Sequence, residues 1–190
     1  MTDVPFWEAP FESGPIPKNG ERFDVIVVGG GPGGSAAAGY LAMAKKRVLL
    51  IEKEKWPRDK VCGDAVGGKS LSHVAELGVK ERLEKNPHFR VTSILFGSPK
   101  GITVDIPLPK EEVDAREAGY SLPRIQFDRM LFERATELVT ENGGMVVQGA
   151  NVKNVLHEGE SGDARRFTGV AVSYNGEENG IKIVFSGLRP

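Results

Sequence analysis

Six consecutive residues, Gly29-Gly30-Gly31-Pro32-Gly33-Gly34, constrain this chain more than any others. Glycine lacks a Cβ, so such a run can turn sharply and bring its main chain close to another group. The flanks narrow the outcome. Val25-Ile26-Val27-Val28 precedes the run and is β-branched, as in a strand buried on both faces of a parallel sheet. Ser35-Ala36-Ala37-Ala38-Gly39-Tyr40-Leu41-Ala42-Met43 follows, with small residues at helical spacing that let a helix lie close to the sheet. Arg47-Val48-Leu49-Leu50-Ile51-Glu52 then reads as a second strand. Strand, glycine turn, helix and strand within about 30 residues make a right-handed βαβ unit.

A turn of this kind suits a dinucleotide. The pyrophosphate charge must be met by backbone N–H groups, and glycine lets the main chain approach without a Cβ clash. Gly29, Gly31 and Gly34 fall at the required positions, with Gly33 between them, and Ser35 opens the helix whose N-terminus faces the phosphate. Pro32 sits where a missing N–H costs little. Glu52, closing the second strand, is placed to accept hydrogen bonds from an adenosine ribose, and its charge would repel the 2′-phosphate of NADP. FAD and NAD remain. A solvated carboxylate at a strand end is the other reading of Glu52.

Elsewhere the chain reads as a mixed α/β protein. Pro5, Pro10, Pro15 and Pro17 alternate with Phe6, Trp7 and Phe11, which suits either an extended arm laid on a surface or a disordered leader. Met1 to Gly20 lacks the basic and apolar blocks of a secretory signal, so the expectation keeps it on the mature protein. Lys53 to Gly68 is a long polar loop, followed by a helix from Lys69 to Leu77. Val91 to Phe96 and Ile102 to Ile106 flank Gly97-Ser98-Pro99-Lys100-Gly101 and predict a hairpin belonging to a second lobe. Apolar residues at Phe127, Met130, Leu131, Ala135, Leu138 and Val139 mark one helical face, ended by Asn142-Gly143-Gly144. A strand at Met145 to Val147 follows, then β runs at Val152 to Leu156, Phe167 to Ser173 and Ile181 to Phe185, which read as an antiparallel meander.

Charge excludes one class of partner. The net charge is −1, with Lys and Arg balanced by Asp and Glu, so no basic face exists for nucleic acid. Cys62 is the sole cysteine, which rules out an internal disulfide and fits a reducing, cytoplasmic setting. No run reaches a membrane-spanning length. His73, His88 and His157 share no ligand spacing, and no metal site is expected.

The segment from Asp24 through the glycines to Glu52, continued by Trp56-Pro57-Arg58-Asp59-Lys60-Val61-Cys62-Gly63-Asp64-Ala65 and by Tyr120-Ser121-Leu122-Pro123-Arg124-Ile125-Gln126-Phe127-Asp128, resembles the geranylgeranyl reductase family. These are flavoproteins of the aromatic-hydroxylase-like superfamily. The resemblance implies a Rossmann-like FAD-binding domain of glutathione-reductase type, carrying an antiparallel meander and part of a β-rich substrate lobe. Its implied layout is an N-terminal extension over 1–22, FAD-binding parts over 23–85 and 121–190, and a substrate-lobe segment over 86–120. Implied cofactor contacts are Gly29, Gly31, Pro32, Gly33, Gly34, Ser35, Glu52, Lys53, Cys62, Gly63, Ala65, Arg124 and the backbone at Ala150. Cys62 is the implied catalytic group, against a plain inert thiol. Arg124 is weighed against a simple ion pair, and Arg58 and Lys60 against solvated surface charge. The implied activity is saturation of isoprenoid double bonds by reduced FAD, supplied with electrons by an external donor. A prenyl-lipid substrate in turn implies peripheral contact with a membrane. In the family, further cofactor segments follow the meander, whereas this sequence closes at Val184-Phe185-Ser186-Gly187-Leu188-Arg189-Pro190, so an N-terminal portion is expected. An FAD monooxygenase or halogenase of the same superfamily, and a non-catalytic nucleotide-binding module, stay open as alternatives.

Overall fold

The structure is a computed structural model, and it describes residues 4–12, 14–115, 117–159, 166–174 and 177–185. Its elements in chain order are β1 (Arg22–Phe23), β2 (Val25–Val28), α1 (Pro32–Met43), β3 (Val48–Glu52), β4 (Ala65–Val66), α2 (Ser70–Glu76) and α3 (Lys80–Glu84). There follow β5 (Phe89–Arg90), β6 (Ser93–Gly97), β7 (Thr103–Pro107), α4 (Lys110–Asp114), β8 (Tyr120–Ser121) and α5 (Arg124–Glu141). The last four are β9 (Met145–Gln148), β10 (Ala150–Glu158), β11 (Arg166–Tyr174) and β12 (Glu177–Phe185). Two compact units result, one from residues 1–58 with 131–190 and the other from 59–130.

The first unit is built on the parallel sheet β2-β3-β9, in which Val25 pairs with Val48 and Leu49 with Met145. Alternation along β3 explains why all of its residues are buried. Val48 and Leu50 join Ala38 and Ala42 of α1 and Phe132, Ala135 and Val139 of α5 in one cluster. Leu49 and Ile51 point the other way, into a cluster with Phe23, Val147, Ala150, Val170 and Val172. Each such side chain contributes about 1.5–3 kcal/mol on leaving water. The second layer is the sheet β1-β12-β11-β10, with β10, β11 and β12 successively antiparallel and β1 parallel to β12. Ser186 to Pro190, which close the sequence, lie outside the described residues.

Two sequence expectations need correction here. The Val25–Val28 strand is only half buried, with Val28 57% exposed, because among the described residues it has a neighbouring strand on one side only. Helix α1 starts at Pro32 rather than Ser35, since proline at the first helical turn is tolerated. The N-terminal segment is ordered as an arm on the first unit: Gly14 N–H donates to the Val146 carbonyl of β9 (3.0 Å), and Phe11 packs edge-on against Phe132. It covers a strand edge.

The second unit holds a small sheet, β4-β8-β5, and the separate hairpin β6-β7. Tyr120 of β8 is fully buried and donates its hydroxyl to Glu84, while Gln126 donates to the Pro87 carbonyl. In the hairpin Ile94 lies opposite Ile106 and Phe96 opposite Val104, so one face is aliphatic and aromatic, and all four are about half exposed. The other face carries Leu95 opposite Asp105 and Gly97 opposite Thr103.

Candidate functional site

At the end of β2 the chain leaves the sheet through Gly29, whose φ of +100° is a conformation that side chains rarely adopt. Its N–H donates to the Ile51 carbonyl (2.7 Å), fixing the loop to β3. A Cβ on Gly34 would lie 1.8 Å from the Gly29 carbonyl oxygen, and one on Gly30 would lie 2.5 Å from the Phe132 ring. These two glycines let helix and ring close on the loop. By contrast, a Cβ on Gly29 or Gly33 would meet nothing within 4 Å. The first helical bond runs from Ser35 N–H to the Gly31 carbonyl (2.8 Å), and Ser35 Oγ donates to the Gly30 carbonyl (3.0 Å). The N–H groups of Gly33 and Gly34 thus precede the helical ladder, and the N-cap Gly31 brings no side-chain cap to them. A cradle with open space and helix-end donors is what a diphosphate requires.

Glu52 is 5% exposed, and its carboxylate ties the cradle together. Oε2 accepts from Gly30 N–H (2.6 Å) and Oε1 from Glu54 N–H (2.9 Å). A carboxylate has about four acceptor sites, so two remain for a ribose hydroxyl. Arg58, which the sequence left balanced between site and surface, lies at this loop. Its guanidinium stands 3.9 Å from Glu52, 4.7 Å from the Trp56 ring centre and 3.6 Å from where a Cβ on Gly31 would be. Trp-Pro-Arg is the only sequence signal for it. Lys53, expected at the cofactor, is 69% exposed and pairs with Glu54 at 3.6 Å. Ala150 opens β10 with its side chain in the apolar cluster, which leaves any cofactor contact there to its backbone.

A second group of expected residues assembles in the unit of residues 59–130. Arg124 N–H donates to Asp64 Oδ1 (3.2 Å), and the Asp64 carbonyl accepts from Leu122 N–H (2.9 Å). Asp64 therefore joins the Cys-Gly-Asp and Leu-Pro-Arg motifs. The Arg124 guanidinium is bidentate to Asp128, Nε to Oδ1 at 2.8 Å and Nη2 to Oδ2 at 3.1 Å. That hydrogen bond raises the guanidinium further above its ordinary range, and the neighbouring Cys62 adds to the effect. The ion pair weighed for Arg124 is present, yet a guanidinium has five donors, so others stay available. The i,i+4 spacing of Arg124 and Asp128 was the missed signal. Cys62 is exposed, Gly63 faces open space and Ala65 is exposed at the start of β4. No group of three His, Cys, Asp or Glu among the described residues is arranged for a metal ion.

The family model described as FAD binding domain matches residues 22–178. The chain belongs to this FAD-binding family. FAD is accordingly the cofactor, and the open glycine cradle fits its diphosphate. Menaquinone reductase of Mycolicibacterium smegmatis is 31% identical over 138 residues, covering 72% of this chain and 31% of its own. Digeranylgeranylglycerophospholipid reductase of Methanocella arvoryzae is 30% identical over 170 residues, covering 84% and 41%. Among solved structures, the myxobacterial chondrochloren halogenase, an FAD-dependent halogenase, superposes with a TM-score of 0.70 at 29% identity over 87% of this chain and 36% of that one. The chain spans about a third of the length of the curated relatives it matches. No helix among the described residues is long and apolar enough to cross a membrane.

Proposed function

We propose that this chain is the N-terminal part of an FAD-dependent reductase that saturates isoprenoid double bonds of a prenyl lipid. The observation that carries the reading is the Asp64 bridge, which ties the Cys-Gly-Asp loop and its exposed Cys62 to the Leu-Pro-Arg segment through Leu122 and Arg124. Reduced FAD, when bound, supplies a hydride to one alkene carbon, and a proton must reach the other. Cys62, exposed in the Cys-Gly-Asp loop, is the group assigned to deliver that proton from its thiol. Gly31, Gly33 and Gly34 offer their N–H groups to the diphosphate, Gly29 and Ser35 fix the loop through their bonds to Ile51, Gly31 and Gly30, and Glu52 accepts from the ribose. The likeness to digeranylgeranylglycerophospholipid reductase over 84% of this chain supports the substrate class. Electrons come from an external donor, and a membrane-borne lipid brings the full-length protein to a bilayer surface.

The likeness to the halogenase favours a second reading, an oxygen-dependent flavin enzyme. Incubating the full-length protein with a geranylgeranyl lipid and a reductant, with and without oxygen, separates the two. Gain of hydrogen at the double bonds without oxygen supports the reductase. Oxygen-dependent hydroxylation or halogenation with no saturation refutes it.

A further inference from the structure

The N-terminal arm lies outside the family match, which begins at residue 22, yet it reaches the glycine cradle by two routes. The first is a chain of rings. Phe11 meets Phe132 at 5.4 Å between centroids, Phe132 meets Trp56 at 5.5 Å, and the Arg58 guanidinium covers Trp56 at 4.7 Å. The second is polar. Gln148 is 3% exposed, donates from Nε2 to the Phe11 carbonyl (2.6 Å), and accepts at Oε1 from Trp56 N–H (2.9 Å). Both routes start at Phe11 and end at Trp56.

What they hold in place runs against local electrostatics. Gly31 is the N-cap of α1, and a helix N-terminus carries partial positive charge, so a cation beside it is disfavoured. Glu52 offsets this from 3.9 Å, a long separation for an ion pair. The ring of Trp56 packs against the guanidinium at 4.7 Å and adds cation–π support, and Trp56 is itself held by Phe132 and Gln148. We propose that Phe11 is a positioning residue for FAD: by locking Trp56 it keeps the Arg58 guanidinium at Gly31, where the diphosphate must sit. An arm beyond the shared domain thereby sets the affinity of the cofactor site. The inference rests on the FAD cradle alone and is independent of which substrate is reduced.

The test is a double-mutant cycle on the full-length protein, titrating FAD by flavin fluorescence against wild type, Phe11→Ala, Arg58→Ala and the double variant. An aromatic contact of about 1 kcal/mol corresponds to roughly fivefold in affinity, so Phe11→Ala is expected to weaken FAD about fivefold to tenfold. In the Arg58→Ala background the same change is expected to do nothing further. Phe11→Leu, which keeps apolar volume and serves if the alanine variant does not fold, is expected to recover part of the loss. A purely structural arm would lower the melting temperature while leaving the dissociation constant within twofold, and that result overturns the proposal. Equal, additive losses in the two backgrounds also overturn it. Failure of the wild type to bind FAD would instead refute the cradle itself, and with it this role of the arm.

Discussion

Replacing Gly34 by alanine is the sharpest test of the cradle. The added methyl would sit 1.8 Å from the Gly29 carbonyl oxygen and 3.0 Å from its carbon, both main-chain atoms that no rotamer change can move. An ordinary C···O approach is about 3.3 Å, so the helix and the loop must part by about 1.5 Å. Two effects oppose each other. Alanine in a helix gains about 1 kcal/mol over glycine, whereas forced overpacking costs about 1–3 kcal/mol. The clash is with backbone, so the steric cost falls at the upper end of that range, and a net loss of up to about 2 kcal/mol is expected in urea denaturation. Cofactor binding suffers as well, because the helix-end N–H groups that face the diphosphate move with the helix. Gly33→Ala is the control, since its Cβ would meet no atom within 4 Å. It should keep or raise stability while weakening FAD. Gly34→Ala with wild-type stability and FAD affinity within threefold would refute the close-approach reasoning.

Phe132→Ala removes a fully buried ring that touches Gly30, so it should cost about 3–5 kcal/mol by urea denaturation, the usual range for such deletions. Asp128→Ala strips the partner from Arg124 at a site where the carboxylate side chain is 2% exposed, and a stability loss of about 3 kcal/mol is expected by the same assay. The carboxyl of Glu21 is held below its ordinary value by the Lys18 N–H and by Arg47, so its contribution is present above the ordinary carboxyl pKa and is lost as pH falls through the lower folded value. Thermal melts of Glu21→Gln should therefore lie below wild type at pH 7 and converge with it in acid. A gap that persists or widens in acid would contradict the assignment.

Much of the first unit was legible because its elements obey simple periodicities. The glycine turn, the strand ending at Glu52 and the helix face through Leu131, Ala135 and Val139 depend on neighbours close in sequence. The edge status of β2 was not legible, since a run of valines and isoleucine looks the same beside one strand as beside two. The site was read in part. Gly34 and Glu52 announced themselves by spacing, while Arg58 reads as an ordinary loop cation until the fold brings it to Gly31. Gln148 carries no motif at all, and its value lies in joining Phe11 to Trp56, residues far apart along the chain. Asp64 appeared within a motif, but only the folded loop gives its two partners, Leu122 and Arg124.

The hairpin of β6 and β7 bears on how this chain behaves in concentrated solution. Ile94, Phe96, Val104 and Ile106 form one apolar side, while the opposite side carries Asp105 across from the exposed Leu95, and Lys100 sits in the turn. The apolar face gains about 25 cal/mol for each Å² that a contact takes out of water, so it is the part of the hairpin with most to gain from being covered.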